Sequence, residues 1–201
     1  MTDEAVVSAA SIVAAGGIVA LPTDTVYGVG VRATDPAAVG ALFALKGRDT
    51  GVALAVLVAD PADADDLVTG SAAELAAFQV LAESFWPGAL TIVMSRRPGS
   101  IAALGGDEST IGLRCPASGI ARALLRWTGP LAVSSANRSG QVPATTAAAV
   151  TDAFGDRVFV VDGGPCGGVP STVVSIFGGS PKVLRPGPVT IDEIANVLAR
   201  A

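Results

Sequence analysis

Residues 35–58, DPAAVGALFALKGRDTGVALAVLV, contain one complete helix–loop–strand unit. Asp35 can act as the N-cap and proline is favoured at the first helical position, so the first half predicts a helix that begins at Pro36. The run ALAVLV is short, entirely apolar and preceded by turn residues, which predicts a buried strand. Lys46 and Arg48 lie between the two elements. The unit therefore predicts an α/β fold in which a cationic loop leads into a buried strand.

The same alternation continues on both sides of this unit. Helical patterns cover residues 5–15, 71–85, 118–127, 145–154 and 191–200, and apolar strand patterns cover residues 17–21, 89–95, 109–114, 130–135, 157–161, 171–176 and 182–185. Strands that are apolar throughout are typical of sheets covered by helices on both faces. We therefore expect residues 1–201 to form a single α/β domain with a twisted, mostly central β-sheet flanked by helices.

The composition excludes several kinds of site. The chain contains no histidine, so a Ser-His-Asp triad, a Cys-His pair and a His-ligated zinc site are excluded. Cys115 and Cys166 lie far apart in sequence, and we expect two reduced thiols and no metal site. The net charge of −5 disfavours tight nonspecific binding to nucleic acid. The Ala-rich N-terminus begins with acids and is interrupted by serine and glycine, so we expect a cytoplasmic protein without a membrane span.

Three polar loops follow predicted strands, where α/β proteins often bind ligands. They are residues 21–30, 134–146 and 163–174. Their hydroxyl and amide side chains suit a small polar ligand, but tight turns at strand ends use the same residue types. None of them contains the GxxxxGK[ST] pattern of a phosphate-binding P-loop. On their own, these loops leave a ligand site and turn chemistry as open alternatives.

Two arginines stand at the ends of predicted strands. Arg114 ends the strand TIGLR and Arg185 ends the strand KVLR. A guanidinium at the end of an apolar strand is costly unless an acidic side chain or an anionic ligand pairs with it. Together with Lys46 and Arg48, these residues form a cationic group in an acidic protein. The group favours an anionic ligand, with an acidic partner for each arginine as the alternative.

Seven motifs occur in the order seen in one known family. They are LPTDTVYGVG (21–30), LKGR (45–48), FWPGALTIV (85–93), IGLRCP (111–116), SSANRSG (134–140), STVV (171–174) and VLRPGPV (183–189). The chain thereby resembles the YrdC-like threonylcarbamoyl-AMP synthase family from Leu21 to Val189, in its short, single-domain form. The resemblance implies a twisted α/β sheet that encloses a concave, positively charged cavity.

The same resemblance implies an ATP-binding nucleotidyltransferase. Such an enzyme joins L-threonine, bicarbonate and ATP, the last with Mg²⁺, into L-threonylcarbamoyladenylate and releases pyrophosphate. A separate transferase complex then moves the threonylcarbamoyl group to the adenosine next to the anticodon of tRNA. We therefore expect weak or no tRNA binding by this chain alone.

Nine residues receive roles by resemblance. Lys46 and Arg48 match the family's K-x-R motif and are the expected catalytic residues, and Ser135 and Asn137 match its S-x-N motif. The expected ATP-binding residues are Lys46, Arg48, Thr110, Ser135, Asn137 and Arg185, and the expected threonine-binding residues are Thr25, Arg114 and Ser171. The resemblance assigns no metal-ligating residue and no general base.

The chain departs from the family pattern directly after the K-x-R motif. Asp49 and Ala53 stand where prolines are common, Val52 stands where a polar asparagine is common, and Leu57 occupies a histidine position. These differences keep two alternatives open, namely a YciO-like paralogue and a non-catalytic nucleotide- or RNA-binding module of the same fold. Pyrophosphate release with and without threonine would distinguish them.

Overall fold

The computed structural model describes residues 2–178 and 181–200. Within these ranges the helices are α1 (Thr2–Ala14), α2 (Pro36–Lys46), α3 (Ala72–Phe85), α4 (Gly119–Thr128), α5 (Ala147–Phe154) and α6 (Ile191–Leu198). The strands are β1 (Val19–Pro22), β2 (Tyr27–Arg32), β3 (Ala55–Leu57), β4 (Leu90–Ser95), β5 (Thr110–Arg114), β6 (Leu131–Ser135), β7 (Phe159–Val160), β8 (Thr172–Ser175) and β9 (Lys182–Arg185). No helix in the two described ranges is both long and apolar enough to cross a membrane.

All of these strands belong to one mixed sheet, in the order β7-β1-β2-β6-β3-β5-β4-β8-β9. β3 pairs with β5 and β4 pairs with β8 in parallel, while β6 is antiparallel to both of its neighbours. Because β6 lies between β2 and β3, the sheet brings the loop after β6 close to the loop after α2. The expected single-domain α/β fold with a central sheet flanked by helices is confirmed.

Helix α2 begins and ends as its sequence dictates. Asp35 Oδ1 accepts hydrogen bonds from the backbone N–H groups of Ala37 and Ala38 at 2.9 and 3.1 Å, which confirms the predicted N-cap. At the other end Gly47 adopts the left-handed conformation, with a φ of 58°, that side chains with a Cβ rarely adopt. The glycine therefore ends the helix directly after Lys46 and redirects the chain.

One strand was missed by the sequence reading. We expected residues 21–30 to form a loop, but only Thr23–Val26 makes a tight turn, and Tyr27–Arg32 pairs antiparallel with β1. The strand was not predicted because the segment contains Gly28 and Gly30, and glycine weakens strand interiors and is depleted there. Tyr27 is fully buried in the core. The other predicted helices and strands are all present, with bounds that differ by a few residues.

The two faces of the sheet are covered unequally. Helices α2 and α3 pack on one face, where Val29, Val56 and Leu113 belong to the main hydrophobic core. Helices α1 and α4 pack against each other on the opposite face, over β1, in a second core that includes Leu21 and Leu131. These two helices leave part of that face open around β3, β5, β4 and β8.

Strand β9 forms one edge of the sheet and is largely exposed. Among the described strands it pairs only with β8, and the register between them shifts at Val173 and Val174. Lys182 and Arg185 stand at its two ends, in keeping with the charged residues that protect exposed sheet edges from further pairing.

Candidate functional site

A concave cavity of about 400 Å³ lies on the open part of the sheet face. Small-molecule sites usually occupy roughly 300–1,000 Å³, so this volume suits a ligand of nucleotide or amino-acid size. Strands β2, β6, β3, β5, β4 and β8 contribute the floor. The loops after β1, α2 and β6, together with the segment before β8 and the end of β9, contribute the rim.

Small residues on the floor make room for the cavity. Gly28, Ala55 and Gly112 all line it. A Cβ at Gly112 would lie 3.4 Å from Val93 Cγ2, at the near limit of ordinary contact, whereas a Cβ at Gly28 would lie 2.7 Å from Val133 Cγ1 and would clash. Larger side chains at these positions would occupy the ligand volume, so the cavity depends on their small size.

Arg114 is held at the end of β5 by three residues from two motifs that are distant from it in sequence. Its Nε donates to the Gly88 carbonyl at 2.8 Å, its Nη1 to Thr25 Oγ1 at 2.9 Å and its Nη2 to Asp24 Oδ1 at 2.7 Å. A guanidinium has five N–H groups, so two of them have no partner within residues 2–178 and 181–200. The sequence analysis left an acidic partner and an anionic ligand as alternatives for Arg114, and Asp24 is such an acidic partner. The ion pair nevertheless leaves N–H groups of Arg114 that an anionic ligand could accept from.

Arg185 joins the edge strand to the segment before β8. Its Nε and Nη2 donate to the Ser171 carbonyl at 3.1 and 2.8 Å, and Nη2 also donates to Ser171 Oγ at 3.1 Å. Ser171 Oγ lies 2.9 Å from Thr91 Oγ1, and all three side chains line the cavity. No carboxylate in the described part of the chain pairs with Arg185, so its charge is available to an anion.

Arg48 is fixed by the loop that departs from the family pattern. Its Nε donates to the Val52 carbonyl at 3.0 Å and its Nη2 to the Ala53 carbonyl at 2.9 Å, while Nη1 donates to Ser134 Oγ at 2.9 Å. Any residue type supplies a backbone carbonyl. The altered side chains at Val52 and Ala53 therefore leave this support for Arg48 intact.

Lys46, one of the expected ATP-binding residues, is not among the residues that line this cavity. Its Nζ donates to the carbonyls of Ser135 and Asn137 at 2.5 and 2.6 Å, and the residue is only 3% exposed. Burial, followed by the nearby charge of Arg48, lowers the pKa of Lys46 to about 8. In this structure Lys46 supports the loop after β6 from behind, and its contact with ATP stays a prediction.

Of the two residues that match the S-x-N motif, one lines the cavity and the other does not. Ser135 lines the cavity, and its Oγ donates to Asn137 Oδ1 at 2.6 Å. Asn137 is buried, and its Nδ2 donates to two carbonyls of its own loop, each at 2.8 Å. Asn137 therefore shapes the loop, while Ser135 faces the ligand space.

Three guanidinium groups, those of Arg48, Arg114 and Arg185, share the cavity. Burial lowers the pKa of all three, and the charge of Arg185 lowers the pKa of Arg48 and Arg114 further, whereas Asp24 opposes the effect on Arg114. Within the described ranges Asp24 is the carboxylate that forms an ion pair with this group. The cavity is therefore positively charged in a protein whose net charge is −5.

The side chains around the cavity do not form a metal-binding site of their own. Across residues 2–178 and 181–200, no group of three or more His, Cys, Asp or Glu side chains comes together. Asp24 is already bound to Arg114. Mg²⁺ is usually held by carboxylates together with substrate phosphates, so these residues fit a magnesium ion only when a nucleotide carries it.

Most of the expected site residues do come together. Seven of the nine line the cavity, namely Thr25, Arg48, Thr110, Arg114, Ser135, Ser171 and Arg185. Lys46 and Asn137 lie behind it, and the roles of all nine stay predictions. The sequence reading missed Thr91, whose signal was a hydroxyl residue in an otherwise apolar strand, and it gave no role to Thr23, Asp24 and Ser134.

Comparison with known proteins gives a consistent result. The Sua5/YciO/YrdC family model, described as "Telomere recombination", matches residues 11–187. A protein of Mycobacterium tuberculosis is 42% identical over 195 residues, which cover 96% of this chain and 88% of the relative. The threonylcarbamoyl-AMP synthase of Bacillus subtilis is 38% identical over 200 residues, which cover 98% of this chain and 57% of the relative. The crystal structure of Pyrococcus abyssi Sua5 complexed with L-threonine superposes with a TM-score of 0.89 at 33% identity, covering 98% of this chain and 58% of that one.

Proposed function

Because this chain belongs to the Sua5/YciO/YrdC family, we propose that it is an L-threonylcarbamoyladenylate synthase, a nucleotidyltransferase. The proposed reaction joins L-threonine and bicarbonate into a carbamate with loss of water, and joins the carbamate to the adenylyl group of ATP with release of pyrophosphate. The synthase relatives and the threonine-bound Sua5 structure favour this activity over a YciO-like paralogue. The observation that carries the proposal is the convergence of Arg48, Arg114 and Arg185 on one cavity.

The end of the cavity near β5 suits the amino acid. Arg114 has two unused N–H groups, and a planar guanidinium binds a carboxylate through two parallel hydrogen bonds. Thr25 is bonded to Arg114, Ser171 lines the same cavity, and both offer hydroxyl groups to the polar atoms of a small amino acid. We assign the threonine carboxylate to Arg114 for this reason.

The end near the loop after α2 suits the triphosphate. Arg48 and Arg185 carry charge without a carboxylate partner among the described residues, and Ser135 and Thr110 line the same cavity. Lys46 and Asn137 fix the loop that presents Ser135. A nucleotide whose phosphates lie here would have its α-phosphorus between the two ends.

The adenylyl transfer step depends more on positive charge and on the alignment of the two substrates than on a strong base. Attack of the threonyl carbamate oxygen on the α-phosphorus brings two anions together and expels pyrophosphate. Arg48 and Arg185 would reduce that repulsion, and Arg114, by binding the threonine carboxylate, would keep the carbamate aligned with the α-phosphorus. Because Arg114 is buried and Arg48 is half-buried, their charges interact with an anion more strongly than they would in water.

The remaining features of the proposal follow from this reaction. Mg²⁺ would arrive bound to ATP, where it neutralises phosphate charge. The product would pass to a separate tRNA threonylcarbamoyl transferase complex in the cytoplasm, and the net charge of −5 is consistent with weak or no tRNA binding by this chain. We propose that residues 1–201 act as a single YrdC-like domain.

Pyrophosphate release tests the proposal. The protein is incubated with Mg·ATP and bicarbonate, with and without L-threonine, and release is expected only with threonine. Arg48→Ala and Arg185→Ala should each lower the rate at least roughly tenfold, because each removes a charge-assisted contact to phosphate. Lys46→Ala should also lower it. Arg126→Ala is the matched control, because Arg126 is 53% exposed and pairs with Asp60 away from the cavity.

Two outcomes would contradict the synthase assignment. Nucleotide binding without pyrophosphate release would favour the non-catalytic module. Release that does not depend on threonine would identify a different acceptor for the adenylyl group.

A further inference from the structure

The motif FWPGALTIV at residues 85–93 supplies no ligand contact in the proposed function. Thr91, a residue of this motif on β4, lines the cavity and is only 5% exposed. Burying a hydroxyl group is costly unless it is hydrogen-bonded. The partners of Thr91 therefore indicate what this part of the cavity binds.

Thr91 and Ser171 share one hydrogen bond and leave one hydroxyl hydrogen unused. Thr91 Oγ1 lies 2.9 Å from Ser171 Oγ, and either hydroxyl can be the donor. Arg185 Nη2 donates to Ser171 Oγ at 3.1 Å and takes up no hydroxyl hydrogen, because a guanidinium has no acceptor. Two hydroxyl groups carry two hydrogens, of which one lies between the two oxygens. Whichever residue donates, the other keeps a hydrogen that has no acceptor within residues 2–178 and 181–200.

The acceptor for this hydrogen has to come from the contents of the cavity. Ser171 is 4% exposed, and both residues line the cavity. No aspartate or glutamate of the described residues is among those that line it. A buried donor without an acceptor is destabilising, so a water molecule or a ligand atom accepts from it. The Thr91–Ser171 pair is therefore a fixed hydrogen-bond donor for an acceptor atom in the cavity.

Thr91 stands between the two arginines at opposite ends of the cavity. The antiparallel register of β4 and β5, continued by one residue, brings Thr91 opposite Arg114. On its other side Thr91 pairs with Val173 of β8, and Val173 pairs with Arg185 of β9. All four residues line the cavity, so they form one row across four neighbouring strands. Adjacent strands are about 4.8 Å apart, so Thr91 is one strand from Arg114 and two from Arg185.

We propose that the Thr91–Ser171 pair binds the one-carbon unit of the reaction, by donating its unused hydrogen to an oxygen of the threonyl carbamate. This assignment rests on the proposed function, which places the threonine carboxylate at Arg114 and the phosphates near Arg48 and Arg185. The carbamate is attached to the α-amine of the bound threonine, so it lies within about one strand spacing of the carboxylate, where Thr91 stands. Its negative charge also suits a position between two guanidinium groups.

The two oxygens of the carbamate have different fates in the reaction. The neutral amine of threonine and bicarbonate form the carbamate with loss of water. One carbamate oxygen then bonds to the α-phosphorus as the bond to pyrophosphate breaks, and the other becomes the carbonyl oxygen of the product. This second oxygen is an acceptor before and after the transfer. A hydroxyl group that holds it throughout keeps the first oxygen turned towards phosphorus.

Pyrophosphate release by the full chain at varied bicarbonate, in buffer freed of carbon dioxide, tests the assignment. Thr91→Val and Ser171→Ala each remove one hydroxyl group, and because the remaining hydroxyl is then free to donate, the double variant is the decisive one. Thr91→Ser retains the hydroxyl. Calorimetric binding of L-threonine without bicarbonate reports separately on the amino acid. Thr128→Val is the matched control, since Thr128 is a buried threonine of α4 whose hydroxyl donates to carbonyls away from the cavity.

In the double variant the KM for bicarbonate should rise roughly tenfold, because the hydrogen bond to the carbamate is lost. The kcat at saturating bicarbonate should stay within about threefold, since the same bond is present before and during the transfer. The Kd for L-threonine and the KM for ATP should change by less than about threefold. Thr91→Ser and Thr128→Val should keep the KM for bicarbonate within about twofold of the wild type. Thr91→Ala removes the same hydroxyl and replaces Thr91→Val if that variant has a lowered thermal midpoint.

Other results would overturn the assignment. A Kd for L-threonine that rises as much as the KM for bicarbonate would mean that the pair binds the amino acid itself. An unchanged KM for bicarbonate in the double variant, with or without a lower kcat, would mean that the pair does not hold the one-carbon unit. Wild-type protein without threonine-dependent pyrophosphate release would overturn the proposed function as well. An active wild type whose double variant has an unchanged KM for bicarbonate would overturn only the role of the Thr91–Ser171 pair.

Discussion

Replacing Lys46 by methionine should change how the stability of the protein depends on pH. The Lys46 ammonium is buried, it is bonded to two carbonyls, and within the described ranges no carboxylate forms a salt bridge with it. Methionine has a similar length and no charge. The substitution therefore removes the ionisable group while it keeps most of the packing volume.

The environment of Lys46 determines the size and the sign of its contribution to the pH dependence of stability. Burial lowers the pKa of Lys46 from 10.5 to about 8, and each pH unit corresponds to about 1.4 kcal/mol, so the upper bound is about 3.4 kcal/mol. Partial solvation of the ammonium reduces this to about 2–3 kcal/mol. Below pH 8 the group is protonated in both states and the folded state bears the full penalty. Between about pH 8 and 10.5 the unfolded chain binds more protons, so stability contributed by this group rises with pH.

Urea denaturation of the wild type and Lys46→Met across this range measures the effect. The free energy of unfolding of the wild type, minus that of the variant, should rise by about 2–3 kcal/mol between about pH 7 and pH 10.5. Tyr27 and Cys115 also have raised pKa values, but both proteins contain them and the subtraction cancels their contribution. A difference that does not vary with pH would refute the desolvation of Lys46 on which this reasoning depends.

Three further substitutions test other parts of the site. Asp24→Asn keeps an acceptor for Arg114 but replaces a charge-assisted hydrogen bond with a weaker neutral one, so the guanidinium is held less firmly in place. The KM for threonine should therefore rise roughly tenfold in steady-state kinetics while the KM for ATP is unchanged; an equal rise in both would count against the assignment. Gly112→Val should abolish pyrophosphate release by filling the floor, with a thermal midpoint within a few degrees of the wild type, and retained activity would contradict the role of the small residue. Asn137→Ala removes three hydrogen bonds of the loop and should lower the free energy of unfolding by about 1–3 kcal/mol in urea, whereas unchanged stability would show that the loop does not need it.

Local patterns predicted most of the fold because the helices and strands here carry their own signals. The cap at Asp35 and the apolar runs of β4 and β6 needed no information from distant residues. Strand β2 was different, because Gly28 and Gly30 have no side chain that marks a strand. Their presence is explained by the neighbouring strand β6, since a Cβ at Gly28 or Gly30 would lie only 2.7 or 2.8 Å from the Val133 side chain. Pairing with β1 and β6 outweighs the weak propensity of the segment.

The sequence predicted which residues come together at the candidate site better than it predicted where their side chains lie. The motif order identified which residues come together, but it did not indicate that Lys46 would point away from the cavity. The carbonyls that bind its ammonium belong to a loop about 90 residues later in the chain, and a flexible four-carbon side chain can reach in several directions. The pairing of Arg114 with Asp24 has the same origin, since the two are 90 residues apart.

Arg185 reaches the cavity from β9, a strand hydrogen-bonded on one side only. Such strands open locally at a lower free energy than central strands do. Each opening would withdraw Arg185 and Leu184 from the cavity while Arg48 and Arg114 stay in place. An anion that requires Arg185 binds only the closed form, so it should slow amide hydrogen exchange in β9 more than elsewhere in the sheet. The affinity for that anion and the fraying of one outer strand are thus thermodynamically linked.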